Sequence, residues 1–377
     1  MKHIVYINNY MAEEIIKIRN NKQFFSQPAN NKILNLIHAL ECDELTITVI
    51  SSALANKNGW FSTVYGEKIS KSNIIYASVL GLPLINSVSS VMSIYRIIKK
   101  IHSKNKIDRI IFYNFKPEAA WPAFFANKLL GIPITVEFED GYRQIKELSR
   151  LKKVIFSCTE RFIINSVDKA IVANSIMKEQ FNVPVHVLRG IVNPSFYNKC
   201  ISYKKTVNDK FTIFYSGGLD RSRGIHVLLE AMKYVRVPCK VQITGKGNIE
   251  IADERVEYLG FLSYDKMLQA MMRSDLLVQC QLVNDDFASV SFPSKLFEYV
   301  ATGNYIISSA LPDVKDFAGD IFTYYENDDP RDLAYKIERV YYLWTAGQMN
   351  DYRVRTLCDK HLPESIMNSL IRFLFND

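Results

Sequence analysis

The stretch FPSKLFEYVATGNYIIS, residues 292–308, decides how this chain is read. Pro293 fixes φ where a helix begins, Ser294 is a capping residue, and Leu296, Phe297, Tyr299 and Val300 recur as one apolar helix face. Gly303 supplies the stop, and YIIS resumes with the composition of a buried strand. The apolar face does not need Glu298. A carboxylate one turn inside a helix that leads into a strand therefore calls for another explanation.

Working outward, the same alternation repeats. Strand-like runs occur at HIVYIN (3–8), LTITVIS (45–51), RIIFYN (109–114), PITVEF (133–138), KAIVAN (169–174) and PVHVLR (184–189). NNKILNLIHALE (30–41) and PEAAWPAFFANKLLG (117–131) have helical spacing between them, with Pro122 either breaking the second helix or marking its first turn. The polar segment 193–210 interrupts the pattern, and FTIFYSG begins a second α/β alternation. Its strands are expected at 240–245, 256–260, 275–280 and 304–309, with helices at 224–235 and 263–274. From about residue 330 the tail is helical in pattern, ending in ESIMNSLIRFLF, and is long enough to return to the first domain. The expected domains are 1–195 and 205–355, with 356–377 as the returning helix.

A chain of 377 residues suits two cores rather than one. Its 48% apolar and 23% charged content is that of a folded soluble protein. The six cysteines stand singly, without Cys-x-x-Cys spacing, and read as free thiols of a reducing compartment. The six histidines form no local metal pattern, so no metal is expected. MKHIVYINNY reads as a first strand rather than a signal peptide, and no run approaches a membrane span, so the expected location is cytoplasmic.

The net charge of +8 favours a negatively charged partner. Basic residues gather at 96–106 and 143–153, interleaved with apolar ones. Two readings stay open, a solvated helix surface or a peripheral contact with an anionic membrane on its inner face. Nucleic acid is not expected, because neither zinc-finger spacing nor an aromatic RNA-binding signature is present.

Four segments can carry chemistry. YSGGLDRSRG (215–224) follows a strand and enters a helix, so Gly217 and Gly218 allow a ligand close to the backbone and Arg223 offers donors to a phosphate oxygen. GKGN (245–248) places Lys246 after the next strand. Backbone N–H groups at Ser294 and Lys295 open a helix toward anionic oxygens, and Glu298 can accept two sugar hydroxyl hydrogens. TVEFEDGYR (135–143) ends a buried strand in Glu137, Glu139 and Asp140, at the edge where α/β proteins bind ligands. Glu139 and Asp140 are candidates for acceptor orientation or proton handling, with a solvated acidic loop as the alternative.

YSGGLDRSRGIHVLLEAM, GKG, VEYLGFLSYDKMLQAMMRSDLLV and FPSKLFEYVATGNYIIS, in this order, resemble the donor-binding domain of retaining glycosyltransferases of family 4 (group 1). The resemblance is specific across about 211–309. It implies the GT-B fold, two Rossmann-like domains facing a cleft with a C-terminal helix crossing back to the N-terminal domain. It also implies that the N-terminal domain takes the acceptor and the C-terminal one the nucleotide sugar. Glu298 then corresponds to the carboxylate that holds the donor ribose, and Arg223 to a basic residue on the diphosphate. Ser294 and Lys295 start the helix that resembles the diphosphate-facing one. Val290 stands where many members have an acidic residue, Asp285 and Asp286 are near but out of register, and Gly218 replaces a common arginine. The carboxylates of 137–140 occupy a region where members often carry a histidine.

The implied activity is transfer of a sugar from a nucleoside diphosphate carrier to a hydroxyl of a glycan or lipid-linked saccharide, in bacterial surface polysaccharide synthesis. No cofactor is expected, and a UDP-sugar is favoured over a GDP-sugar as donor. A nucleotide-sugar epimerase on the same scaffold and a noncatalytic nucleotide-sugar-binding or assembly protein are the alternatives.

Overall fold

A computed structural model describes residues 1–22, 26–82, 85–139, 149–204, 208–284, 292–349 and 352–376. The chain divides into two compact units, Met1–Ile191 with Ile366–Asp377, and Val192–Ser365. Both are α/β.

The first unit runs β1 (Lys2–Asn8), α1 (Glu13–Arg19), α2 (Gln27–Leu40), β2 (Leu45–Ser51), β3 (Trp60–Phe61), β4 (Val64–Tyr65), β5 (Asn73–Tyr76) and β6 (Val79–Leu80). It continues with α3 (Ile85–Lys104), β7 (Arg109–Tyr113), α4 (Pro117–Leu130), β8 (Ile134–Phe138), α5 (Arg150–Ile163), β9 (Lys169–Val172) and β10 (Val185–Val187). The sheet order is β10-β9-β8-β7-β1-β2-β5-β4, parallel except for β4, while β3 and β6 pair separately and antiparallel. Strand order reverses between β1 and β7, which makes their carboxyl ends the natural ligand crevice of this unit. Ile33, Leu36 and Leu40 of α2 cover Ile4, Ile47 and Val49 in one core.

The second unit runs α6 (Pro194–Ser202), β11 (Phe211–Ser216), α7 (Ile225–Ala231), β12 (Cys239–Thr244), β13 (Val256–Tyr258), α8 (Tyr264–Arg273) and β14 (Leu276–Gln279). Next come α9 (Lys295–Thr302), β15 (Tyr305–Ser309), α10 (Pro312–Ala318), β16 (Thr323–Tyr325), α11 (Pro330–Thr345) and α12 (Tyr352–Asp359). Its six strands are all parallel, in the order β13-β12-β11-β14-β15-β16, with the reversal between β11 and β14. Both faces are covered, which is why these strands are continuous apolar runs. Phe214, Leu277 and Ile306 pack under α8, α9 and α12, while their neighbours Ile213, Leu276 and Ile307 pack under α7 and α11.

The last helix, α13 (Pro363–Phe375), brings the chain back to the first unit. Ile366, Leu370 and Leu374, one turn apart each, are buried in the core that α2 also lines. Lys169 Nζ donates to the carbonyls of Phe373 at 2.8 Å and Asn376 at 2.5 Å, satisfying groups that a helix end leaves open.

Two local readings change. Pro122 lies well inside α4, which runs unbroken through it, so it marks neither a break nor the first turn. Ser294 occupies the position before α9, but its backbone is already helical (φ −57°, ψ −23°) and its side chain makes no capping bond. A capping side chain reaches the first N–H groups from an extended backbone, which Ser294 does not adopt.

Candidate functional site

In the second unit, the loops after β11 and β12 run side by side. Gly217 N–H donates to Thr244 O at 3.1 Å and Leu219 N–H to Lys246 O at 2.9 Å. The closest backbone approaches fall at two other glycines. A Cβ on Gly245 would stand 1.7 Å from the Gly217 carbonyl oxygen, and one on Gly224, at φ +73°, 1.7 Å from that of Cys280. At Gly217 and Gly218 an added Cβ would instead meet side-chain atoms, Tyr215 Oη and Asp220 Oδ2, each at 2.7 Å. Arg223 lies against Gly218, its Cγ 3.2 Å from that Cβ position. Lys246 places Nζ 4.7 Å from the centre of the Phe261 ring.

Tyr299 ties α9 to the same edge. Its hydroxyl accepts from Ser216 N–H at 3.0 Å and donates to Val278 O at 3.4 Å, so one side chain spans the ends of β11 and β14. Tyr299 thus holds α9 against the point where the sheet reverses, and the N-terminus of a helix favours an anion. Glu298 is mostly buried and pairs with Lys295 Nζ at 2.6 Å. Its charge helps to push the buried Cys200 thiol up to about 12, after desolvation as the main cause. Gly217, Gly218, Arg223, Lys246, Ser294, Lys295 and Glu298 thus all belong to segments at the carboxyl ends of β11, β12 and β14. An open pocket of about 530 Å³ lies on the α7 side of the first loop, around Asp220, Arg221, His226 and Glu250, and none of these seven residues lines it. Asp285, Asp286 and Val290 fall outside the described residues.

The first unit carries a second polar cluster at the carboxyl end of its sheet. Tyr6 donates its hydroxyl to Glu137 Oε2, across β7, and Tyr113 donates to Glu139 Oε2 at 2.9 Å. Glu139 N–H is held by Asn114 Oδ1 at 2.8 Å, and Lys32 of α2 pairs with the Glu139 carboxylate. Two buried carboxyls therefore lie close to one ammonium, which pairs with Glu139. Desolvation and the neighbouring Glu139 charge push Glu137 up to about 8, against the pull of Lys32 and the Tyr6 hydrogen bond. Glu137 thus keeps its proton to higher pH than an ordinary glutamate, an arrangement suited to handling protons. Asp140 lies outside the described residues.

Sequence reasoning missed Tyr299 as a brace and Tyr6, Tyr113 and Lys32 as partners of the carboxylates. No linear signal marks them, because each contact joins segments far apart in the chain. No group of His, Cys, Asp or Glu able to hold a metal occurs among the described residues.

Residues 210–342 match the family model described as Glycosyl transferases group 1. That segment runs from β11 into α11. No curated protein matches the chain in sequence. Several solved structures share its whole architecture. A sucrose-phosphate synthase from Thermosynechococcus elongatus has a TM-score of 0.64 at 13% identity, covering 100% of this chain and 99% of its own. Anabaena HepE in complex with UDP has a TM-score of 0.62 at 11% identity, with 99% of both chains covered. WaaB, a lipopolysaccharide outer core galactosyltransferase in its apo form, has a TM-score of 0.61 at 14% identity, again with 99% of both chains covered. At these identities the likeness is one of fold.

Proposed function

We propose that this chain, a GT-B-fold glycosyltransferase related to the group 1 family, moves a sugar from a UDP-sugar to a hydroxyl of a glycan or lipid-linked saccharide, with retention at the anomeric carbon. The carrying observation is that the family match coincides with the unit in which two glycine loops and the start of α9 meet at the sheet reversal. The second unit takes the donor. Glu298 accepts the ribose hydroxyls, Arg223 and Lys246 neutralise the diphosphate, and the N–H groups at Ser294 and Lys295 stabilise charge on the leaving oxygen. Gly217 and Gly218 keep the backbone open to the phosphates.

The first unit takes the acceptor, with Glu139 and Asp140 orienting the hydroxyl or receiving its proton. UDP is favoured because similar folds bind it, HepE as the UDP complex among them. The family match and the likeness to a lipopolysaccharide galactosyltransferase support a role in bacterial surface polysaccharide synthesis. The work would be done in the cytoplasm at the inner face of the cell membrane.

A screen of UDP- and GDP-sugars with cell lipid extracts or oligosaccharides as acceptors, read by mass spectrometry, tests this reading. An acceptor heavier by one sugar is the expected product. Interconversion of the donor without an acceptor would point to an epimerase. Donor binding with no turnover on any acceptor would point to a binding or assembly protein.

A further inference from the structure

Helix α5 is turned the wrong way round for a core helix. Leu151, Val154 and Phe162 lie along one stripe and are 60%, 59% and 61% exposed, while the buried positions are Thr159, Glu160 and Ile163. An amphipathic helix ordinarily places its apolar stripe on the core. Its neighbours extend the anomaly. Leu129 at the end of α4 is 67% exposed, and Val88 and Met92 on α3 are 59% and 50% exposed. Ring contacts join the three helices: the half-buried Trp121 lies 5.4 Å from Phe162 and 5.7 Å from Phe125, and Phe125 lies 6.1 Å from Tyr95.

The charges on these helices have one sign. Arg96, Lys99, Lys100 and Lys104 lie on α3, Lys128 on α4, and Arg150, Lys152, Lys153 and Arg161 on α5. Lys153 is half-buried and the others are exposed. The acidic residues of the three helices, Glu118 and Glu160, are both buried. The face offers apolar side chains and cations together, and no exposed anion among its described residues.

Nucleic acid would use the cations but leave Leu151, Val154 and Phe162 in water. A bilayer with anionic headgroups uses both. We infer that the outer face of α3, α4 and α5 docks on an anionic lipid bilayer, with α5 lying in the plane of the headgroups and its apolar stripe among the acyl chains. No helix among the described residues is long and apolar enough to cross a membrane, so the contact is peripheral. This rests on the inner-membrane placement of the transferase reading, deepens it by naming the docking face, and uses none of its donor residues. On α3 it also assigns roles within one helix, since Ile94 and Ile98 serve the core while Val88, Met92 and the lysines serve the surface.

Flotation of the full chain with phosphatidylglycerol-rich vesicles and with pure phosphatidylcholine vesicles tests the inference. The protein is expected to float with the anionic vesicles, less so as salt rises. On binding, Trp121 emission should shift to the blue, and Trp121→Phe should lose that shift. Val154→Ser with Phe162→Ser, and separately Lys152→Glu with Lys153→Glu, should each reduce the bound fraction about tenfold or more, with UDP affinity unchanged. Thermal unfolding of each variant confirms the fold, which exposed positions should leave intact. Equal recovery with both vesicle types overturns the inference, as does anionic binding that survives both variants. Retention on duplex DNA without vesicle binding also overturns it. Loss of UDP binding by the wild type would instead count against the transferase reading alone.

Discussion

Lys295 Nζ stands 2.6 Å from Glu298, three residues along the same helix turn, at the start of α9. The pair fixes where the carboxylate points within a mostly buried setting. Glu298→Gln keeps the shape and loses the charge. A charged hydrogen bond is worth about 1.5–3 kcal/mol, so UDP affinity should fall about tenfold or more, with little change in ligand-free unfolding. Calorimetry with UDP reads this directly, and an unchanged Kd would remove Glu298 from the donor site.

Arg223 separates phosphate recognition from base recognition. Arg223→Ala should weaken UDP by about tenfold while leaving uridine nearly unaffected, because the guanidinium's proposed contacts are to phosphate oxygens. The comparison needs only two titrations. Equal losses for nucleoside and nucleoside diphosphate would mean that Arg223 supports the loop rather than the ligand.

Glu137 makes stability fall as pH rises from acid toward about 8. Its folded value is raised to about 8, above an ordinary glutamate near 4.3 in the unfolded chain, so the folded state holds a proton that the unfolded state has lost. That contribution is fully present below about pH 4 and is lost as pH rises through about 8. The wild type should therefore lose melting temperature between about pH 5 and about pH 8, and Glu137→Gln, which cannot ionise, should lose less. Parallel slopes for the two proteins would show that Glu137 is not the group responsible.

Leu370 tests the returning helix. It is fully buried in the core of the first unit, and Leu370→Ala should cost about 2–5 kcal/mol in the stability of that unit. UDP affinity should stay near that of the wild type, since the proposed donor residues belong to the second unit. Unfolding monitored by Trp121 should show the loss. A drop of less than about 1 kcal/mol would mean that α13 adds little to that core.

The α/β alternation was legible in the sequence because it depends on short-range period. Leu296, Phe297, Tyr299 and Val300 followed by Gly303 and YIIS read as helix, stop and strand without any knowledge of the partners. The same reasoning located the glycine loops after β11 and β12, and the composition of 363–375 announced a terminal helix with an apolar face. Segments of two to four residues, such as β3, β4 and β5, were too short for a period to show.

Tertiary structure decided what touches what. Tyr6 reaches Glu137 across 131 residues of sequence, and Tyr299 reaches Ser216 across 83, so neither partner could be found by spacing. The rise of the Glu137 proton affinity follows from burial beside Glu139, which an acidic run in the sequence does not reveal. The sequence showed basic residues interleaved with apolar ones at 143–153, but only the neighbours of α5 determine which of its faces is covered. Glu160 and Thr159 fill the inner side, and this leaves Leu151, Val154 and Phe162 facing outward. An apolar stripe has the same period whether it meets a core or a bilayer, so its destination is settled by packing alone.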